Sequence, residues 1–263
     1  MSPKIRKQRL DAYLVECGYF RTTDEALRAV LAHEVKVDDV YAKSAAIPVT
    51  PESVVEVKNR KSYVSRGGFK LAGALEYFGQ DVRGMRCLDI GASTGGFTDC
   101  LLQAGATSVT CVDVNYGQLA WSIRQNPAVT VFERTNIKLA NPEELGAPFD
   151  LVVCDVSFIG LAGLAPTFAK FCRTREQCAH TPAGATEGAK PSLFIGLIKP
   201  QFESQPGETE RGVVVDEAIR MRTVQEVSHA LEAAGFSVTG VCESPITGPE
   251  GNVEYLVRAV FSR

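Results

Sequence analysis

The chain has 263 residues, of which 45% are hydrophobic and 22% charged, values that exclude a mainly disordered protein and suit one α/β domain with a small appendage. The formal net charge of −3 is unevenly spread, since residues 1–70 hold 13 Lys/Arg against 9 Asp/Glu and the remainder holds 15 against 22. This asymmetry suggests an anionic partner for the amino-terminal part, although chance explains a difference of this size equally well.

Residues 1–57 are predicted to form a small module of two helices and short strands. Leucines and valines recur at helical spacing in residues 10–15 and 26–31, and Thr23 followed by two acids is typical of a helix start. Valine-rich runs at 35–40 and 54–57 predict strands. Residues 58–66, KNRKSYVSR, are polar and basic and are predicted to be a linker.

Residues 67–263 alternate between apolar runs and amphipathic segments. This alternation predicts an α/β, Rossmann-like domain with a mostly parallel seven-stranded sheet whose last strand is antiparallel. The predicted strands are 87–90, 109–114, 129–132, 151–156, 193–198, 236–242 and 253–261, and the predicted helices include 97–104, 117–125, 160–172 and 216–234. Residues 173–191 are predicted to be an exposed loop, for which we have no role.

A glycine-rich turn in residues 88–102, LDIGASTGGFTDCLL, is the strongest functional signal. A predicted strand carries Asp89, the chain turns through Gly91, Gly95 and Gly96, and a predicted helix follows. Such a turn lets the backbone and the free N–H groups of a helix start approach a ligand closely. Asp113 near the end of the next strand can accept both hydroxyls of a ribose. The pattern favours an S-adenosylmethionine site.

Two other interpretations of the turn remain open. A dinucleotide site needs GxGxxG, but Ser93 stands where the middle glycine belongs. Residues 91–95 also match the GxSxG elbow of serine hydrolases. However, Ser93 follows the first strand of its sheet, and the three histidines, at positions 33, 180 and 229, are poorly placed for a catalytic triad.

Four charged residues are predicted at the edge of the sheet where α/β folds bind ligands. Asp155 and Lys199 end two parallel strands, Glu254 opens the last strand, and Lys70 precedes the sheet. Two lysines and two acids can form ion pairs with each other in a partly buried pocket. A lysine in such a pocket can deprotonate or polarise a ribose 2′-hydroxyl. Surface ion pairs are the alternative for any one residue, but the four together favour a site. The sequence DVSF at 155–158 differs from the run expected of amino-group methyltransferases.

At these residues the chain resembles the TlyA family, historically labelled hemolysin A, whose methyltransferase domain is of the FtsJ type. The resemblance covers nearly the whole chain. The matching runs are SRGGFKLAGALE (65–76), CLDIGASTGGFTDCLL (87–102), VDVNYGQLAWSIR (112–124), FERTNI (132–137), DLVVCDVSFI (150–159), IKPQFE (198–203), GVV (212–214) and GNVEYL (251–256).

The resemblance implies S-adenosylmethionine-dependent 2′-O-methylation of ribosomal RNA, with cytidine as the expected nucleoside, by a domain of the class I methyltransferase fold over residues 67–263. It also implies a Lys–Asp–Lys–Glu catalytic tetrad at Lys70, Asp155, Lys199 and Glu254, with Lys199 acting on the hydroxyl. The candidate cofactor residues are Asp89, Gly91, Ala92, Ser93, Thr94, Gly95, Gly96, Phe97, Asp113, Val114, Asn136 and Asp155.

The module at residues 1–57 is similar to the alpha-L RNA-binding domain, a likeness carried by RLDAYLVECGYF (9–20). Ribosomal RNA or a ribosomal subunit is therefore the expected partner. The basic linker either holds phosphates and stacks a base on Tyr63, or is a solvated tether, and its composition leaves both open. The candidate RNA-binding residues are Lys7, Arg9, Arg21, Lys58, Arg60, Lys61 and Arg66.

Other classes of function are less well supported by the sequence. A lytic protein needs a membrane-length or strongly amphipathic segment, and none is found in this sequence. A signal peptide needs an apolar core, which the first ten residues, MSPKIRKQRL, lack. Eight scattered cysteines without a CxxC pair predict reduced thiols in a cytoplasmic protein. Cys172, Cys178 and His180 match no zinc spacing, so no metal is expected. A ribosome-binding protein that has lost catalysis remains the main alternative.

Overall fold

The computed structural model describes residues 7–17, 19–20, 22–50, 53–58, 63–174, 177–178 and 190–263. The amino-terminal part is built from short elements, in order β1 (Gln8–Arg9), α1 (Leu10–Glu16), α2 (Thr23–Leu31), β2 (Val35–Val37), β3 (Val40–Tyr41), β4 (Pro48–Val49) and β5 (Val55–Val57).

A larger α/β part follows. Its elements are α3 (Gly67–Tyr77), β6 (Arg86–Ile90), α4 (Gly96–Gln103), β7 (Ser108–Val112), α5 (Trp121–Arg124), β8 (Val129–Phe132), α6 (Pro142–Leu145), β9 (Leu151–Cys154), a 3-10 turn (Ala162–Leu164), α7 (Ala165–Ala169), β10 (Leu193–Ile198), α8 (Pro200–Glu203), α9 (Glu217–Ala233), β11 (Phe236–Glu243) and β12 (Tyr255–Phe261).

The amino-terminal part has its own apolar core, to which both of its helices contribute. The predicted helix start at Thr23 is confirmed, and the Thr22 side chain caps α2 by accepting a hydrogen bond from the Glu25 N–H. Phe69 of α3 also packs on this core and meets the Tyr19 ring edge-on at 4.8 Å. The amino-terminal core is therefore completed by a residue from the α/β part.

The α/β part is organised around one seven-stranded sheet with the order β11-β12-β10-β9-β6-β7-β8. The pairs β10–β9, β9–β6, β6–β7 and β7–β8 are parallel, whereas β12 is antiparallel to both of its neighbours. The predicted Rossmann-like sheet with an antiparallel last strand is confirmed. Two apolar cores cover its two faces, which explains why β9 and β10 are almost continuously apolar.

Several predicted elements are longer than the observed ones. The strands predicted at 109–114 and 151–156 end at Val112 and Cys154, and the last strand begins at Tyr255 rather than at 253. Asp113, Asp155 and Glu254 therefore lie just outside their strands, where the alternating side-chain directions of a strand no longer apply.

The helices predicted at 117–125 and 160–172 are also shorter in the structure. Gly117 has φ +74°, a left-handed conformation that does not belong to a helix, and Ala120 is extended with ψ 140°, so α5 begins at Trp121. The second segment divides into the 3-10 turn and α7, because Pro166 is favourable in the first turn of a helix but not in its interior. Most of the loop predicted at 173–191 lies outside the described residues.

None of the helices that the structure describes combines the length and the apolar character required to cross a membrane. No disulfide joins the eight cysteines. Over the same described ranges, no group of three or more His, Cys, Asp and Glu side chains is arranged to hold a metal ion, and His180 lies outside those ranges.

Candidate active site

The carboxyl ends of the parallel strands form one edge of the sheet, and the predicted site residues gather there. Gly91 directly follows β6, Asp113 follows β7, Asp155 follows β9 and Lys199 follows β10. Glu254 reaches the same edge from the other direction because it immediately precedes the antiparallel β12. This is the edge at which α/β folds bind their ligands.

The glycine turn between β6 and α4 requires its glycines. Gly91 has φ +81°, and a Cβ there would lie 2.3 Å from the backbone carbonyl oxygen of Asp155. Gly95 has φ +95°, and a Cβ there would lie 2.9 Å from a Leu119 methyl group. The turn is thus held tightly between the end of β9 and the segment before α5, and its shape depends on residues without side chains.

A small cleft lies beside this turn, and its walls are mixed in character. Ala92, Leu119 and Phe132 make it apolar, whereas Asp113 and Glu133 place carboxylates at it. Its full lining is Ala92, Ser93, Cys111, Asp113, Asn115, Gln118, Leu119, Val131, Phe132 and Glu133. An apolar slot flanked by carboxylates that follow adjacent strands suits a nucleoside, with the base between apolar side chains and ribose hydroxyls on an acid.

Asp113 is fixed by the backbone around it. One carboxylate oxygen accepts a hydrogen bond from the Ser93 N–H at 2.8 Å, and the other accepts one from the Asn115 N–H at 2.8 Å. Glu133 is held similarly by the Gly117 N–H at 2.8 Å and by the Arg124 guanidinium at 2.5 Å. Both acids thus hold fixed positions at the cleft.

The predicted cofactor residues fall into three groups. Ala92, Ser93 and Asp113 line the cleft. The turn and the beginning of α4 beside it hold Gly91, Thr94, Gly95, Gly96 and Phe97. The remaining four residues lie elsewhere. Asp155 adjoins the turn, and Val114 is exposed. Asp89 and Asn136 do not line the cleft, and the Asn136 side chain accepts a hydrogen bond from the Lys138 N–H at 3.0 Å.

Asp89 is completely buried behind the turn. One of its carboxylate oxygens accepts a hydrogen bond from the Thr98 hydroxyl at 2.6 Å, and that hydroxyl lies 3.0 Å from the Cys111 sulfur. The other oxygen has no hydrogen-bond partner among the described residues. Burial raises the pKa of Asp89 to about 7 and that of the Cys111 thiol to about 12. Asp89 therefore supports the turn from the protein interior.

The four predicted tetrad residues form two ion pairs. Lys70 of α3 pairs with Glu254, and both side chains are buried, with 7% and 1% of their surface exposed. The Lys199 Nζ lies 2.6 Å from an Asp155 carboxylate oxygen, and this pair is more accessible, at 12% and 23%. The register Ile198↔Tyr255 makes Lys199 and Glu254 neighbours across β10 and β12. The structure thus places all four side chains at one edge.

The carboxylate of Glu254 is enclosed by the loop at residues 244–252. A Cβ at Gly248 would lie 2.7 Å from one Glu254 oxygen, and the Ser244 N–H donates to the Glu254 carbonyl at 2.8 Å. Arg66 holds this loop from outside by donating to the Thr247 carbonyl at 2.7 Å and to the Glu16 carboxylate of α1 at 2.5 Å. Arg66 therefore connects α1 to the loop at residues 244–252, which covers the tetrad at Glu254.

The candidate RNA-binding residues are distributed unevenly. Lys7 and Lys58 are exposed, whereas Arg9 forms a two-point contact with the Asp11 carboxylate at 3.0 and 2.6 Å. Arg66 is engaged with Glu16, so its guanidinium is already occupied inside the protein. Arg21, Arg60 and Lys61 lie outside the described residues.

Sequence reasoning missed part of this site. It did not single out Glu133, which follows β8 as Asp113 follows β7, and this repeated position was the available signal. It also gave no role to Ser157, whose hydroxyl oxygen accepts a hydrogen bond from Lys199 Nζ at 3.0 Å. No pattern along the chain joins residues 157 and 199, because the contact depends on the pairing of β9 with β10.

Comparisons with known proteins agree with this architecture. The family model of the FtsJ-like methyltransferases matches residues 63–261. The 16S/23S rRNA (cytidine-2′-O)-methyltransferase TlyA of Mycobacterium tuberculosis is 42% identical over 96% of this chain and 89% of its own length. Hemolysin A of Brachyspira hyodysenteriae is 35% identical over 96% of this chain and all of its own.

A solved structure from Streptococcus thermophilus that carries a hemolysin label superimposes with a TM-score of 0.73 and 33% identity. The match covers 98% of this chain and 90% of the other, so it includes the amino-terminal part as well as the α/β part. With this fold, this glycine turn and these matches, the chain belongs to the FtsJ-like methyltransferase family, in its TlyA (hemolysin A) branch, as the sequence motifs predicted.

Proposed function

We propose that this protein transfers a methyl group from S-adenosylmethionine to a ribose 2′-hydroxyl of ribosomal RNA, with cytidine as the nucleoside. The observation that carries the proposal is the pair of Lys–acid contacts, Lys199–Asp155 and Lys70–Glu254, at the sheet edge beside the glycine turn. The TlyA relative from Mycobacterium tuberculosis, which is named for this reaction, supports it.

The residues at the cleft fit the nucleoside half of the cofactor. Asp113 would accept the ribose hydroxyls, Leu119 and Phe132 would enclose the adenine, and the turn around Gly91 would lie against the rest of the molecule. When bound, S-adenosylmethionine supplies a methyl group that an oxygen nucleophile can take. Asp155, which adjoins both Gly91 and Lys199, would lie between the cofactor and the substrate.

Lys199 is the residue that would meet the 2′-hydroxyl. Its Nζ lies at the carboxyl end of β10 beside Asp155, so it can hold the 2′-oxygen in line through an N–H donor. To accept the hydroxyl proton it would first release one of its own protons to solvent, and the transfer would then accompany formation of the oxygen–carbon bond. The Lys70–Glu254 pair is too deeply buried to approach a nucleotide freely. It would instead form the base of the pocket and set the electrostatic potential around Lys199 and Asp155.

The amino-terminal part would bind the ribosomal substrate. Lys7 and Lys58 are exposed and available for phosphates, and the part is joined to the catalytic edge through Arg66 and Phe69. This assignment keeps residues 1–57 as an RNA-binding domain, 58–66 as a linker and 67–263 as the methyltransferase domain.

The test is methyl transfer from labelled S-adenosylmethionine to unmodified ribosomal subunits, comparing wild type with Lys199→Ala and with Lys170→Ala as an exposed control on the end of α7. The product is digested to nucleosides. We expect label in a 2′-O-methylnucleoside for wild type and the control, and none for Lys199→Ala. Label on a base would refute the tetrad mechanism. Cofactor binding without transfer to any subunit would favour a non-catalytic RNA-binding protein.

A further inference from the structure

The segment that follows Asp155 contacts the proposed catalytic lysine a second time. Lys199 Nζ lies 2.6 Å from Asp155 Oδ1 and donates to the Ser157 hydroxyl oxygen at 3.0 Å. A lysine ammonium on a flexible four-carbon stem can swivel around a single acidic partner. An ion-pair partner and a hydrogen-bond acceptor two residues apart on the same segment fix the position of the Nζ atom and leave room beside it for a substrate.

The backbone of this segment is held in an unusual shape. Phe158 has φ +68°, a left-handed conformation that is rare for a bulky residue and persists only where the surroundings impose it. Its ring is largely exposed and contacts Phe202 of α8 with centroids 5.5 Å apart. Because α8 begins directly after Lys199, the same short stretch of chain carries the lysine and contacts the segment opposite it.

A second contact from α8 fixes the far end of the segment. The carboxylate of Glu203 accepts a hydrogen bond from the Leu161 N–H, and a Cβ at Gly160 would lie 2.5 Å from Glu203 Oε2. A side chain at residue 160 would therefore displace the Glu203 carboxylate from its present position. Burial raises the pKa of Glu203, and backbone N–H donors act in the opposite direction. We call this contact the Gly160–Glu203 clasp.

We propose that Ser157 is a positioning residue for methyl transfer: its hydroxyl, together with Asp155, aims Lys199 at the 2′-oxygen, and the Gly160–Glu203 clasp holds Ser157 where it can do so. This inference rests on the proposed function and refines its site. Ser157 is exposed, so its hydroxyl is not needed to satisfy a buried group and its removal leaves no cavity.

The test compares Ser157→Ala, Ser157→Thr and the matched control Ser237→Ala, which removes an exposed hydroxyl from β11. Steady-state methyl transfer to ribosomal subunits gives kcat and KM, and calorimetry with S-adenosylhomocysteine gives cofactor affinity. We expect Ser157→Ala to lower kcat by about 10- to 100-fold, as misplacement of a reacting group does, with KM and cofactor affinity within about twofold of wild type. Ser157→Thr, which keeps the hydroxyl, should recover most of kcat.

A kcat of Ser157→Ala within twofold of wild type would overturn the proposal, as would an equal loss in Ser157→Thr, since the hydroxyl would then not be the cause. The clasp is tested by Gly160→Ala, which should lower kcat at least 10-fold with unchanged cofactor affinity; full activity in that variant would refute the clasp. Wild type and Lys199→Ala are measured in the same series. Absence of ribose methylation by wild type would refute the proposed function itself, which separates that failure from a failure of the role of Ser157.

Discussion

The Lys70–Glu254 pair gives the sharpest prediction, because its burial separates a structural effect from a catalytic one. The Lys70→Met variant keeps the length of the side chain but leaves the Glu254 carboxylate, of which 1% is exposed, without its cation. Removing one partner of a buried pair costs about 3–5 kcal/mol of the free energy of unfolding. Since about 1 kcal/mol shifts Tm by roughly 2–4 °C in a protein of this size, Tm should fall by about 6–20 °C.

The Lys199→Met variant is the matched comparison. Its partner Asp155 is 23% exposed and can be hydrated when the lysine is lost, so the cost should be nearer to about 1 kcal/mol. Both variants should lose methyl transfer, but only Lys70→Met should lose much stability. The double variant Lys70→Met/Glu254→Leu should regain stability without activity, because it removes both buried charges together.

Differential scanning calorimetry at one pH measures all four proteins. If Lys70→Met melted within about 2 °C of wild type, the pair would not be desolvated as its exposed fractions indicate, and the reasoning from burial would be wrong. If the double variant were less stable than Lys70→Met, the unpaired carboxylate would not be the source of the loss.

Three further predictions follow from the site. Asp113→Asn should weaken S-adenosylhomocysteine binding about 10-fold or more in calorimetry, since a charge-assisted hydrogen bond contributes about 1.5–3 kcal/mol; unchanged affinity would remove Asp113 from the site. For Asp89, burial raises the folded pKa to about 7 from about 3.9 in the unfolded chain, so the folded state holds a proton that the unfolded state releases, and the free energy of unfolding should fall as pH rises from 4 to 7. Urea titrations at several pH values should show that Asp89→Asn removes this pH dependence of the free energy of unfolding. The same pH dependence in wild type and variant would contradict the raised pKa of Asp89. Glu16→Gln weakens the contact that Arg66 makes with α1 and should lower kcat more than cofactor affinity, whereas full activity would show that α1 does not influence the cover of the tetrad.

Much of the fold could be predicted from the sequence, because its signals are local. The apolar runs at β6, β9 and β10 are buried on both faces, and the glycines of the turn occupy positions that only glycine fills easily. The clustering of Lys70, Asp155, Lys199 and Glu254 could be predicted because three of them lie at strand ends, which the topology brings to one edge. The two ion pairs could not be assigned, since which lysine meets which acid depends on the packing of α3.

What the sequence could not supply was the state of individual side chains. Arg66 is in a basic linker and was expected to be available to RNA, but a carboxylate fifty residues earlier and a carbonyl far along the chain occupy it. Asp89 was expected at the cofactor, and the structure buries it behind the turn on Thr98. In both cases the residue type was informative and its long-range partner decided the role.

Helix α3 contacts both the amino-terminal part and the α/β part of the molecule. Phe69 closes the amino-terminal core, while the next residue, Lys70, belongs to the buried pair on Glu254. The two halves of the molecule are therefore joined through packed side chains as well as through the chain itself. Phe69 meets the Tyr19 ring of the amino-terminal part at 4.8 Å and the Tyr63 ring at 5.0 Å. A methyltransferase half that begins before Tyr63 would keep one of these two ring contacts, so that boundary suits separate expression better than one drawn between Tyr63 and Phe69.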